Sequence, residues 1–394
     1  MGKPIVQSEG EVAKCISQLD YYINNAKGFM EAEELRLAQQ GVQGTIVHQP
    51  LGPILTIVPW NFPFWLPFKS AIPPLVLGNS IMLKQSPSTP LCGVALAEAF
   101  EEAGFVDGEY QNMFVSENQC KTIIADRRVR ACKFTGSTRG GKAVAIECAQ
   151  HVKKACLELG GNDPFVVLKD ADLEKAVDAA YTSRMVNSAQ ACNNAKRFII
   201  STTVYDEFRD RLVEKIKSTA VVGDPMDRNT NVGPLASMKQ KEILVEQCAR
   251  AVNEGGAEIT YGSPYFTHPD PALKDGAFFA PVVMENMSSD SEVYHEEFFG
   301  PVFNLFRVDS SKEAMDLANK SDYGLSGAVF TNDLEKAEAC AQRLRVGNAF
   351  INTFTAIGSD HPSGGIKNSG YGRECYSDGL LDIGNRKTII RKPE

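Results

Sequence analysis

Short β-branched runs alternate with helix-period runs in two successive blocks, and this alternation constrains the fold more than any other feature. In the first block "IMLK", "YQNMFVS", "RACKFTG" and "KACLELG" read as strands. The runs "PSTPLCGVALAEAFEEAGF", "CKTIIADRRV" and "KAVAIECAQHV" between them read as helices. In the second block "DPFVVL", "NAKRFIIS", "PVFNLFRV", "SGAVFTN" and "GNAFINT" are strand-like, with helical runs such as "LEKAVDAAYTSR" and "SKEAMDLANK" interposed. Strands joined through helices pair mostly in parallel and need helices on both faces. The predicted fold class is therefore α/β. The chain has 394 residues, more than the ~250–300 at which a single core stops growing, so more than one domain is expected.

The ends read differently. The first part, "EGEVAKCISQLDYYINNAKGFMEAEELRLA", has apolar residues at helical spacing. The tail "NRKTIIRKP" is a lone β-branched strand. It cannot cover its own edge, so it is expected to pair with the segment near residues 44–50 or with another subunit. A net charge of −8 gives no basic footprint for nucleic acid. No apolar run approaches the ~18 residues of a membrane span, and no leader is visible, so a cytoplasmic location is expected. The ten cysteines include no C-x-x-C, which points to reduced thiols. The five histidines show no metal-ligand spacing, and no metal site is predicted.

Four segments carry candidate chemistry. Cys192 lies in "NSAQACNNAKRFII", Glu158 in "LELGGNDPFVVL", Asn61 in "PWNFPFW", and "FTGSTRGG" makes a strand-to-helix turn with Gly136, Ser137 and Gly141. Singly, these read as a buried thiol, a solvated strand-end carboxylate, a turn asparagine and a tight connection. The last is also a turn whose amides suit a phosphate, although no G-x-G-x-x-G occurs. Together they fit addition of a thiolate to an aldehyde. The Asn61 amide and the Cys192 N–H would hold the oxyanion, each such donor being worth ~2.7–4 kcal/mol. After hydride transfer to a nicotinamide, a carboxylate in an apolar setting suits hydrolysis of the thioester.

The motifs "PWNFP", "IMLK", "FTGSTRGG", "LELGGNDPFVVL", "QAC", "EEFFGPV", "YGLSGAVFT" and "GGIKNSGYGRE" occur in that order. On them the chain resembles the aldehyde dehydrogenases over nearly its whole length, and the succinate-semialdehyde dehydrogenase branch most. The resemblance implies two parallel-sheet α/β domains and a small β oligomerisation flap. These would be a cofactor domain of residues 1–31 and 51–160, a catalytic domain of residues 161–365, and oligomerisation strands within 32–50 and 380–394. It implies a homo-oligomer, dimer or tetramer, with no nucleic-acid or membrane partner. Cys192 would be the nucleophile, Glu158 the base and Asn61 the oxyanion donor. Trp60, Leu159, Gly136, Ser137 and Gly141 would line the cofactor site, Lys84 would bind the adenosine ribose, and Glu297 the nicotinamide ribose, with Phe299 packing nearby.

Several positions depart from the family pattern. Ala189 stands where Gly is usual, and its methyl would crowd a turn that needs positive φ. Asn194 replaces a small residue, and Ser363 replaces an aromatic. The family has several tens of residues before "GKP", where this sequence opens, so some apolar surface of the cofactor domain is expected to be bare or covered by a partner. Pro87 takes the place of a glutamate that excludes a 2′-phosphate, so either NAD or NADP is the expected cofactor. Lys69 and Arg184 lie in segments that line the substrate tunnel in relatives, and they are expected to bind the far carboxylate of an ω-semialdehyde. The retained Asn61, Lys84, Glu158, Cys192 and Glu297 favour a dehydrogenase. The alternative is a shortened, silent paralogue with a scaffold role, and a third reading is an acyl-transfer enzyme, which would need a CoA site.

Overall fold

The computed structural model describes residues 1–39 and 41–392. Residues 393–394, the last of the tail segment, and residue 40, within the 32–50 segment, lie outside the described residues. The chain divides into two compact units.

The first unit comprises residues 11–159, 357–364 and 370–394. Its six-stranded sheet has the order Gly370–Tyr371, Lys154–Glu158, Ala131–Thr135, Pro53–Ile57, Ser80–Lys84, Tyr110–Asn112. All neighbours are parallel except the short Gly370–Tyr371 edge. Helices Trp65–Val76, Pro90–Glu102, Glu117–Ala125 and Thr138–Gln150 alternate with these strands, as the sequence periodicity predicts. Their boundaries follow local chemistry. Proline opens Pro90–Glu102, where its missing N–H costs nothing. A reciprocal Ser116–Gln119 capping box starts Glu117–Ala125. A separate antiparallel sheet joins Glu33–Leu35, Gln43–Pro50 and Gly384–Arg391. The tail strand thus finds its partner in the segment expected from sequence.

The second unit comprises residues 1–10, 160–356 and 365–369. Its seven-stranded sheet has the order Glu258–Tyr261, Val282–Glu285, Val302–Val308, Ala195–Ser201, Asp163–Val167, Ser326–Phe330, Asn348–Ile351. Only the Glu258–Tyr261 edge is antiparallel. Successive side chains of a strand point to opposite faces, and here both faces are filled. Val166, Ile199 and Val329 pack with Leu244, Met315 and Cys340 from helices Met238–Asn253, Ser311–Asn319 and Leu334–Arg343. Their neighbours Phe165, Phe198 and Phe330 pack on the other face with Ala180 and Leu212, from helices Leu173–Met185 and Tyr205–Thr219. Burial on both faces explains why these strands read as continuous apolar runs.

Two segments differ from the sequence reading. Residues 357–364, expected with the catalytic domain, belong to the first unit. Residues 1–10, expected with the cofactor domain, belong to the second unit. Ile5 N–H donates to the Pro225 carbonyl at 2.8 Å, and Gln7 Oε1 accepts from Asn187 N–H at 2.7 Å. Among the described residues no helix is long and apolar enough to cross a membrane.

Candidate active site

In the first unit four buried charges converge. Glu158 ends its strand and is 2% exposed. Lys69, on helix Trp65–Val76, is wholly buried. Its ammonium contacts the Glu158 carboxylate and lies 2.7 Å from Glu374 Oε2. Lys133, in the middle of the strand beside that of Glu158, lies 2.9 Å from Glu374 Oε1. The Ser70 hydroxyl donates to that same oxygen at 2.8 Å.

The electrostatics divide the two carboxylates. Burial raises Glu158 to about 7, and the Glu374 charge adds to the effect while Lys69 opposes it. Burial also acts to raise Glu374, but the Lys133 and Lys69 ammoniums outweigh it and hold that carboxyl well below its usual range. Burial works against the Lys69 charge, yet Glu158 and Glu374 hold it well above the ordinary lysine value. The arrangement therefore has one fixed anion, two fixed cations and one carboxyl that titrates near neutrality. A carboxyl poised this way suits general-base work at neutral pH.

The same unit holds a cavity of about 320 Å³. Lys84, Ser86, Pro87, Gly136, Ser137, Arg139 and Gly140 are among its lining residues. Ser137 caps helix Thr138–Gln150, its hydroxyl accepting from Gly140 N–H at 3.2 Å. A helix N-terminus opening on a cavity with Lys84 and Arg139 suits a phosphate-bearing ligand. Gly141, expected to line the cofactor site, is buried in this helix, and a Cβ there would lie 2.4 Å from the Leu159 side chain. Leu159 is buried against this helix, and Trp60 is half-buried just beyond Pro59 of the cavity wall. These features fit a dinucleotide. Arg139 was not singled out from sequence, although it stands within "FTGSTRGG". Asn61 is buried in the turn after the strand Pro53–Ile57.

In the second unit Cys192 sits half-buried on a loop fixed by its own polar residues. Asn187, Ser188 and Ala189 all have positive φ, 57°, 51° and 63°. The Ala189 turn thus has the backbone that makes its methyl costly. Ser188 Oγ accepts from Gly233 N–H at 2.9 Å, and Gln190 Oε1 from Ala236 N–H at 3.0 Å. Asn194 earns its place by donating to the Arg184 and Val186 carbonyls at 3.0 and 3.1 Å. Lys196 binds the Ala191 and Cys192 carbonyls and lies 3.1 Å from Glu297 Oε1. Glu297 also accepts from Gly161 N–H at 3.1 Å, so Lys196 ties it to the Cys192 loop. Phe299 follows, half-buried.

The two cations expected at the substrate carboxylate are both buried and engaged within the protein. Arg184 is wholly buried. Its Nε donates to the Val302 carbonyl at 2.8 Å, and its Nη2 to those of Phe298, at 2.6 Å, and Gly300. A guanidinium enclosed by backbone carbonyls braces the segment after Glu297 and is not open to a substrate. Lys69 is likewise engaged, between two carboxylates. Ser363 is wholly buried, its backbone exchanging 2.7 Å hydrogen bonds with that of Glu374, so the smaller side chain sits behind the charge cluster. Sequence reasoning missed Glu374, Lys133 and Lys196. A lysine inside the apolar strand "RACKFTG" was the available signal.

The thiols differ in access. Cys192 and Cys92 are half-buried and the other eight cysteines are buried. Burial raises the Cys340 thiol and pushes Cys375 up to about 12. Limiting iodoacetamide followed by peptide mapping is expected to label Cys192 well before Cys340 or Cys375. Equal labelling of the three would remove Cys192 as the reactive thiol.

Comparison with known proteins places this arrangement. The sequence matches the profile described as the aldehyde dehydrogenase family over residues 1–389. The chain belongs to that family. As an aldehyde dehydrogenase it is an oxidoreductase, and nearly all of the chain aligns with its relatives while spanning 80–84% of their length. It is 41% identical over 393 residues to a succinate-semialdehyde dehydrogenase (NADP(+)) of Deinococcus radiodurans, covering all of this chain and 80% of the relative. It is 37% identical to the corresponding enzyme 1 of Mycobacterium tuberculosis, covering 99% of this chain and 84% of the relative. Among solved structures, Gox0499 superposes with a TM-score of 0.94 at 40% identity, over 99% of this chain and 83% of the other. The succinic semialdehyde dehydrogenase of Streptococcus pyogenes, in complex with NADP+, also gives 0.94, at 36% identity and with the same coverage. The aldehyde-dehydrogenase-like α/β fold expected from sequence is therefore the fold of this chain.

Proposed function

We propose that this aldehyde dehydrogenase oxidises an ω-semialdehyde, succinate semialdehyde or a close analogue, to the dicarboxylic acid with NAD or NADP. The observation that carries the mechanism is Glu158, buried beside Lys69 with its carboxyl pushed up to about 7. In this reading the Cys192 thiolate adds to the aldehyde carbon. The Asn61 amide and the Cys192 N–H donate to the oxyanion. Lys84, the Ser137 helix end and Glu297 would hold a nicotinamide dinucleotide, whose ring would supply the hydride acceptor. Glu158 then takes a proton from water as that water attacks the Cys192 thioester. Lys69 keeps the resulting carboxylate positions fixed, and Lys133 keeps Glu374 anionic, so the proton goes to Glu158. Because the base must be ionised to act, turnover rises as pH passes upward through about 7. The exposed tail sheet, with Ile389 and Ile390 half in solvent, supports assembly as a homo-oligomer.

The test is steady-state reduction of each cofactor by purified protein with succinate semialdehyde. Activity with either cofactor is the expected result, and none with both would defeat the reading. Pro87 sets no carboxylate three residues after Lys84, and the cavity's Glu117 and Glu147 are offset by Lys84, Lys121 and Arg139, so its lining does not reject a 2′-phosphate by charge. NAD and NADP are expected to bind within about tenfold of one another, ~1.4 kcal/mol. Quenching of tryptophan fluorescence measures both. A preference for NAD of several hundredfold would show that another acidic residue guards the ribose.

A further inference from the structure

With Lys69 and Arg184 engaged, the cation that would recognise a carboxylate-ended substrate has to be sought elsewhere. Helix Ile5–Phe29 carries Lys14, half-buried in the first unit. Its Nζ stands 4.2 Å from the centre of the Trp65 ring. Trp65 opens helix Trp65–Val76, and Lys69 follows one turn later on the same side of that helix. Lys69 in turn contacts Glu158. The two helices are fixed to each other by Glu11, one turn before Lys14, whose Oε1 accepts from the Phe64 and Trp65 N–H groups at 2.7 and 2.8 Å.

The surrounding charges leave Lys14 without an anion of its own. Lys69 is matched by Glu158 and Glu374, and Glu11 turns an oxygen onto two backbone amides. Among the described residues no ion pair holds Lys14, and its ammonium faces the Trp65 ring. A half-buried ammonium facing an indole is stabilised by the ring, but lysines are rarely buried unless paired. We propose that Lys14 selects the substrate: standing over Trp65 beside the Lys69–Glu158 pair, its ammonium binds the far carboxylate of an ω-semialdehyde. This rests on the reading of the chain as a semialdehyde dehydrogenase with Glu158 as its base.

The titration behaviour supports the assignment. Burial first, and the Lys69 charge second, lower Lys14 to about 8, while Cys375, Cys15 and Glu158 act in the opposite sense. The ammonium is charged below that value and neutral above it. Selectivity for the charged aldehyde is therefore expected to fall as pH rises through about 8, independently of the shared chemical steps.

The experiment compares succinate semialdehyde with butanal, which has the same chain length and no carboxylate. Wild type, Lys14→Met and Lys14→Arg are assayed as full-length protein, with circular dichroism checking the fold. Lys14→Met is expected to raise KM for succinate semialdehyde about 10- to 100-fold, the range of a lost charged hydrogen bond, with kcat little changed. Butanal should be affected far less, and Lys14→Arg should recover most of the semialdehyde efficiency. In wild type the ratio of the two efficiencies should drop above pH 8, and in Lys14→Met it should be flat. Equal losses on both aldehydes, or no change on either, would overturn the proposal and leave the dehydrogenase reading standing. Wild-type protein that oxidises butanal but not succinate semialdehyde would overturn the semialdehyde reading itself.

Discussion

Glu158→Gln is expected to reduce one equivalent of cofactor per active subunit and then stall. Thiolate addition and hydride loss do not consume the base, whereas hydrolysis of the thioester does. The Gln amide has nearly the volume of the carboxyl and can still accept from Lys69, so the change removes the titrating group with little disturbance of packing. A positioned general base contributes roughly 10²–10⁴-fold, and the steady rate should fall by that order while the first turnover persists. Rapid mixing with cofactor absorbance separates the two phases. An unchanged steady rate would leave Glu158 with a structural role only.

Lys133→Met is expected to be strongly destabilising. Lys133 is 1% exposed and pairs with Glu374 at 2.9 Å. Removing it leaves Glu374 with Lys69 as its only ammonium and no solvent to take up the charge. Breaking one side of a buried ion pair costs about 3–5 kcal/mol, measurable as a fall in the denaturant midpoint. The loss also has a functional sign. Without the Lys133 charge Lys69 is drawn more fully to Glu374, the anionic form of Glu158 loses support, and the pH at which turnover rises should move upward from about 7. A variant with both midpoint and pH profile unchanged would mean that Glu374 is neutralised in another way.

The elements that were legible in the sequence are those whose signal is local. The apolar strands around Phe165 and Phe198 and the intervening helices follow from periodicity, because a strand buried on both faces must be apolar throughout. The cost of an open edge requires a partner for the tail, either the segment near residues 44–50 or another subunit, and the tail pairs with Gln43–Pro50. Cys192, Glu158 and Asn61 stood out because their neighbours form recognisable motifs. The partners of these residues were not legible. Lys133 and Glu374 are far apart in sequence and meet only through the sheet, on adjacent strands and the loop after Gly370–Tyr371. Arg184 read as an available cation, since nothing in the sequence tells that the carbonyls of Phe298, Gly300 and Val302 surround it. The same limit hid Lys14, whose context is set by the packing of two helices.

The most direct test of the account is capture of the acyl-enzyme. Glu158→Gln is mixed with succinate semialdehyde and NADP, quenched in acid after the burst, digested and read by mass spectrometry. The account predicts a succinyl thioester on the peptide containing Cys192, in amount equal to the cofactor reduced. Reduced cofactor with Cys192 unmodified, or an acyl group on any other cysteine, would contradict it.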